Sequence, residues 1–211
     1  NYLSKRVDEV FFDAEHFFDG YKSNSDFSQN CLTTALESGA TGVVLCDTNG
    51  GTTPWEISEI VTNIKKTNKN IILGIHTHND SGLGVANALA AVRAGANQVQ
   101  GTINGYGERC GNANLCTIIA NLNLKMGINC ISDKNLTKLY EVSNFISDMA
   151  NLSKDGKAPF IGKSAFAHKG GIHVSAIVKN NLTYEHVDPQ KIGNQRRILI
   201  SDLAGRSNIL Y

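Results

Sequence analysis

The sequence predicts an α/β fold: half of a (β/α)8 TIM barrel, followed by a small, mostly helical subdomain. Three observations carry this reading. Short apolar, β-rich runs alternate four times with helix-like segments, each run ends in a cluster of functional side chains, and the pattern changes character near Ser132. Alternation of this kind implies parallel strands joined by right-handed crossovers.

The expected strands are residues 10–12, 42–46, 71–75 and 98–103, each short enough to be buried on both faces. The expected helices are residues 26–38, 55–67, 83–94 and 114–126. Pro54 stands where a first helical turn tolerates proline, and Gly39 and Gly95 supply helix-ending glycines. At the carboxyl ends of the strands fall Asp13, Glu15 and His16; Asp47, Thr48 and Asn49; His76, His78, Asn79 and Asp80; and Asn104, Glu108, Arg109 and Asn112. Convergence at several strand ends is how barrels build sites, whereas an open sheet usually offers one switch point. No GxGxxG follows a strand, so a dinucleotide site is not supported. Four units are half of a barrel, and the other half is expected upstream or in a partner.

The first domain is therefore assigned to residues 1–131 and a linker or flexible subdomain to 132–211. In the latter, Leu136, Leu139, Tyr140, Ser143, Ile146 and Met149 mark one packed face of a helix. Residues 153–159 read as a polar linker, with Lys154-Asp155-Gly156 as a turn. Gly170-Gly171 interrupts the next helical stretch, and Arg196-Arg197 opens a basic turn into a helix or strand.

Composition narrows the class of function. With 41% hydrophobic and 18% charged residues, the chain is globular in composition, and a net charge of +1 leaves no electrostatic footprint for nucleic acid. No apolar run is long enough to span a bilayer, so no membrane partner is expected. Five cysteines without a CxxC pair fit a reducing, cytoplasmic setting better than a disulfide framework or a zinc knuckle. The chain opens on Asn1 and closes on apolar residues, and is expected to be a piece of a longer protein.

The stretch GIHTHNDSGLG sets His76 and His78 two apart at a strand end, where residues i and i+2 share a face and Thr77 points away. Two such imidazoles are half of a metal site; the alternative is a pair of satisfied polar residues. Glu15, between Phe12 and Phe17-Phe18, is expected in a partly dehydrated setting that would suit proton transfer. Thr48 and Asn49 could equally form the turn before Gly50-Gly51. Glu108 and Arg109 read as a structural ion pair, and His168 to Gly171 as a glycine-hinged surface loop. His186 reads as structural.

The blocks FFDAEHFFDGYK, LCDTNGG, HTHND, GTINGYGERCGNANL, SAFAHKGGIHVSA, TYEHVDP and GNQRRILISDLAGRSNI resemble the isopropylmalate synthase and homocitrate synthase family, closest to its citramalate synthase branch. The resemblance covers nearly the whole chain, with HxHND and NGxGERxGN as its most specific elements. It implies a chain that enters at the fifth strand, the second half of a (β/α)8 TIM barrel (strands 5–8), and continues into the linker subdomain. It also implies condensation of acetyl-CoA with a 2-oxo acid, pyruvate in this branch, a divalent metal ion (Zn, Mn or Mg), and a homodimer in amino-acid biosynthesis. On it, His76 and His78 correspond to metal-binding histidines and Asn112 to an amide ligand. Thr48 corresponds to a contact with the 2-oxo acid carboxylate, and Glu15 to a proton-handling glutamate. His173 and Tyr184 correspond to groups delivered into the partner protomer's barrel. The family's first-strand Arg-Asp pair, whose aspartate is a metal ligand, has no equivalent here. Rival readings are an isopropylmalate or homocitrate synthase, a metal-dependent barrel hydrolase, and a non-catalytic scaffold.

Overall fold

Every expected strand forms; the second and fourth begin where expected, and the other ends shift by one to three residues. In the computed structural model, which describes residues 2–200, β1 spans Phe11–Ala14, β2 Gly42–Asp47, β3 Ile72–Thr77 and β4 Gln98–Gln100. They make one parallel sheet in the order β1-β2-β3-β4. The expected fourth strand stops early because residues 103–105 wind into a 3-10 turn with Asn104 at a left-handed φ of 63°.

Between the strands lie α1 (Phe17–Ser23), α2 (Ser25–Glu37), α3 (Pro54–Thr67), α4 (Gly84–Arg93) and α5 (Leu115–Leu124). The start of α2 is set by Asn24, whose side chain accepts the Phe27 N–H at 3.0 Å. The start of α3 is set by Pro54 and by Glu56, which reaches back 2.8 Å to the Thr53 N–H. α1 was not expected, since Gly20 interrupts its pattern; the burial of Phe17 and Phe18 fixes it.

Alternate residues divide the sheet into two faces. Ala14, Val43, Leu45, Leu73 and Ile75 pack with Leu32, Ile57, Val61 and Ile64 of the helices in one core. On the other face Asp13, Cys46, His76 and Gln100 follow each other from β1 to β4. There Gln100 Nε2 donates to Asp13 Oδ1 at 3.1 Å. Three strand spacings would separate the outer strands of a flat sheet by about 14 Å, so this contact requires the sheet to curl inward, as a barrel wall does. Gly74 belongs to the same concave face: a Cβ there would come within 2.7 Å of Gln98 Oε1 and 2.8 Å of Val44 Cγ2.

The chain divides into two compact units, Asn1–Ile118 and Ile119–Tyr211. In the second unit α6 (Asp133–Leu136) and α7 (Leu139–Met149) replace the one helix expected, and Met149 is exposed whereas Ser147 is buried. β5 (Ala167–His168) and β6 (Arg197–Ile198) pair in parallel, and α8 (Gly171–Lys179) lies between them in sequence. Gly170 caps α8 and Gly171 begins it, so the glycines start the helix and do not break it. The core of this unit includes Leu136, Leu139, Phe160, Phe166, Val174, Ile177 and Ile192. Residues 201–211 of the expected second domain lie outside the described residues.

Candidate functional site

The concave face ends in a polar cluster at the carboxyl ends of the four strands. His76 closes β3 on that face, and His78 follows just beyond it. Thr77 points the other way, its hydroxyl donating to the Gly84 carbonyl at 2.8 Å. The two imidazoles face each other with ring centroids 5.2 Å apart.

Asn112 joins them because the segment after β4 folds back along the end of β3. Asn79 N–H donates to the Gly111 carbonyl, Ala113 N–H to the Thr77 carbonyl, both at 2.9 Å, and His78 and Asn112 form an antiparallel bridge between them. Gly107 is required for this, since a Cβ there would fall 2.2 Å from Asn112 Nδ2. Asn112 Nδ2 donates to the Tyr106 carbonyl at 3.1 Å, which turns Oδ1 toward His76 Nε2, 3.0 Å away. The other ring nitrogen of His76 meets Gln100 Oε1 at 2.8 Å. His78 Nδ1 is buried and has no protein partner. Burial, followed by His76 and Arg109, holds the His78 imidazole below its usual range, so the ring is neutral near pH 7.

Glu15 and Thr48 form a second group. Thr48 Oγ1 donates to Glu15 Oε2 at 2.7 Å and accepts the His16 N–H at 2.8 Å. Glu15 is exposed, so the partly dehydrated setting expected for it is not found: Phe17 and Phe18 turn into the core behind the sheet, leaving the carboxylate in water. Cys46 lies beneath, its thiol pushed up to about 12 by burial and by Glu15 and Asp13, and it is a neutral space-filler there.

Arg109 is structural, as expected, and its ion pair with Glu108 forms at 4.0 Å, but a second carboxylate holds it more closely. Its nearer partner is Asp80, which it grips with two bonds of 2.7 and 3.1 Å, while Nη2 also donates to the Thr48 carbonyl at 2.6 Å. Glu108 is 4.0 Å away and 87% exposed. Arg109 therefore ties together the loops after β2, β3 and β4. Behind the loop after β2, the buried Asp47 accepts from Thr52 Oγ1 at 2.7 Å and from Asn87 Nδ2 at 3.3 Å. Burial raises the Asp47 carboxyl above its ordinary value.

His173 and Tyr184 stand together in the second unit, rings stacked at 4.1 Å. His168, expected on a surface loop, is buried, with Nε2 3.2 Å from Glu185 Oε1. Arg196 grips the same carboxylate at 2.7 and 2.6 Å, and the chain passes from it into β6 at Arg197, so the expected basic turn does lead into a strand and also pairs with the buried Glu185. His186 packs between Phe160 and Phe166.

Sequence reasoning missed Gln100. The signal was present, because β4 alternates Gln98 and Gln100 on the face that carries His76, and the register pairs His76 with Gln100.

Parallel strands curled around a polar cluster at their carboxyl ends define the (β/α)-barrel class of site. The chain belongs to the HMGL-like family, which it matches over residues 1–146; residues 160–210 match the homocitrate synthase post-HMGL domain-like family. Among proteins of known function it is similar to the (R)-citramalate synthase of Aquifex aeolicus (strain VF5), 58% identical over 210 residues, covering 100% of this chain and 40% of that protein. It is 55% identical to the (R)-citramalate synthase of Synechocystis sp. (strain ATCC 27184 / PCC 6803 / Kazusa), over 99% of this chain and 40% of that protein. The 2-isopropylmalate synthase of Sulfurisphaera tokodaii (strain DSM 16993 / JCM 10545 / NBRC 100140 / 7) is 36% identical over 89% of this chain and 48% of its own length. The chain thus spans less than half the length of these relatives. Among solved structures, an HMG-CoA lyase from Acenitobacter baumannii in complex with coenzyme A and 3-methylmalate aligns with a TM-score of 0.51 at 26% identity, covering 61% of this chain and 44% of that one. The carboxyl transferase domain of Rhizobium etli pyruvate carboxylase with oxamate and biotin aligns with a TM-score of 0.55 at 17% identity, covering 68% of this chain and 24% of that one, a likeness of fold. No helix among the described residues is long and apolar enough to cross a membrane.

Proposed function

We propose that this chain is part of an acyltransferase that condenses acetyl-CoA with pyruvate to give citramalate and free CoA, feeding branched-chain amino-acid synthesis. One observation carries the choice of substrate. Identity to five (R)-citramalate synthases runs from 46 to 58% over essentially the whole chain, against 35 to 36% over 89% of it for the 2-isopropylmalate synthases.

The residues fit a divalent cation. Among the described residues no three His, Cys, Asp or Glu stand together as a metal cage, so a site here must draw on the amide. His76 Nε2 and Asn112 Oδ1 stand 3.0 Å apart, and the buried His78 Nδ1 lacks a protein partner; a cation is a partner that ring nitrogens and an amide oxygen can share. Two imidazoles and an amide oxygen suit zinc and its neighbours better than magnesium. When bound, the ion would act as a Lewis acid on a 2-oxo acid.

The chain's own groups do the rest. The Thr48 hydroxyl would hold the substrate carboxylate; in turning to it, the hydroxyl gives up Glu15 Oε2, which is then free to accept a proton. The methyl of acetyl-CoA loses that proton, its carbon bonds to the ketone carbon of pyruvate, and the ketone oxygen takes up a proton. Water then cleaves the thioester, releasing CoA. His173 and Tyr184, stacked together on the second unit, would complete the site of a partner protomer in a homodimer. The free state of all five cysteines supports a reducing, cytoplasmic setting.

Free CoA release by the full-length protein, measured with acetyl-CoA and each of pyruvate, 3-methyl-2-oxobutanoate and 2-oxoglutarate, tests this reading. Pyruvate should be the preferred acceptor. Faster release with a bulkier acid would transfer the chain to the isopropylmalate or homocitrate branch, and no release with any of them would end the condensing reading.

A further inference from the structure

We propose that Gln100, backed by Asp13, is a positioning residue that fixes the tautomer of His76, keeping the proton on Nδ1 and Nε2 as the lone-pair donor. The inference deepens the metal-dependent reading and rests on it for its purpose, but its geometry stands alone.

The orientation of each amide is set by its second partner. The Asp13 carboxylate only accepts, so Gln100 must present its NH2 group there, at 3.1 Å, and its Oε1 to His76 Nδ1, at 2.8 Å. Nδ1 must then carry a hydrogen. On the far side Asn112 gives its NH2 group to the Tyr106 carbonyl and turns Oδ1 to His76 Nε2, at 3.0 Å. The two amide oxygens compete for the one proton of a neutral ring. Gln100 has the advantage because the anionic Asp13 polarises it, whereas Asn112 leans on a neutral carbonyl. Nε2 is left with its lone pair aimed at another acceptor, an opposition that a cation between them relieves.

Metal-bound histidines commonly donate their other N–H to a carboxylate or carbonyl, which fixes the ring and strengthens the ligand. Here an amide stands between carboxylate and imidazole, so that a carboxylate on β1 acts on a ring on β3. It also brings negative charge toward a ligand set of two imidazoles and an amide that has none of its own.

The test uses the intact, metal-free protein at pH 8. Long-range 1H–15N correlation should show His76 as the Nδ1–H form. Gln100→Leu removes the acceptor at Nδ1 and leaves Asn112 Oδ1, so the proton should move to Nε2 and zinc affinity, read by competition with a chromophoric chelator, should fall about 10–100-fold. Gln100→Glu keeps an acceptor and should keep the Nδ1–H form. Should Gln100→Leu fail to fold by circular dichroism, Asp13→Asn, at an exposed side chain, should give a mixture of tautomers. An Nε2–H or doubly protonated ring in the wild type, or an Nδ1–H ring that persists in Gln100→Leu or, in its place, in Asp13→Asn, overturns the proposal. The expected tautomers without zinc binding by the wild type would uphold the relay and sink the metal-dependent reading.

Discussion

Glu15 and Thr48 share a hydrogen bond of 2.7 Å, and each can lose it without disturbing the core, because Glu15 is exposed and neither belongs to the hydrophobic cluster behind the sheet. Glu15→Gln should therefore leave the fold and the metal affinity of the full-length protein intact while lowering turnover by about 10²–10⁴-fold, the range for a lost general base. Steady-state CoA release beside a zinc titration checks both halves; a loss below tenfold would reduce Glu15 to a positioning role. The paired histidines were legible at this scale because a period of two is a geometric property of a strand. The closer partner of Arg109, Asp80, was not. Glu108 is its neighbour in sequence, but a left-handed φ of 54° at Arg109 turns the side chain to Asp80, and no local pattern announces that turn.

Elements were read from the sequence where periodicity had room to repeat. The helices α2 to α5 and the four strands were found within a few residues, whereas α1, of seven residues with a glycine inside, and the 3-10 turn after β4 were not. The second unit was read least well, since its elements are short and its buried polar groups come from distant positions. Its most consequential group is Glu185, joined to His168 of β5 and to Arg196 just before β6. Burial raises the Glu185 carboxyl, but the bonds from Arg196 and His168 outweigh it and the net shift is downward. A carboxyl lowered on folding stabilises the native state above its unfolded pKa of about 4.3, and that contribution is lost as pH falls through the folded value. Glu185→Gln should cost about 3 kcal/mol at pH 7, since it leaves Arg196 without its counter-charge. Chemical denaturation at pH 7 and again near pH 3 checks this: the gap between wild type and variant should narrow in acid, and a gap independent of pH would reject the ion pair as its source.

For the whole molecule the governing fact is that four parallel strands leave β1 and β4 as edges, whereas about eight are needed for closure. These 211 residues in isolation should associate through those edges and release no CoA from acetyl-CoA and pyruvate. Size-exclusion chromatography with the same assay checks it, and robust turnover by a monomer of this length would refute the half-barrel reading. The bond from Gln100 to Asp13 acquires a further meaning at this scale. It spans the sheet from its first strand to its last, so it exists only at one curvature, and through it the orientation of a single imidazole depends on how tightly the wall is rolled. Strands relaxed toward flatness by a few ångströms would part Gln100 from Asp13, now 3.1 Å apart, and with them the proposed setting of His76. On the proposed relay, the curl of the wall and the state of the imidazole are linked, and a probe of either reports on the other.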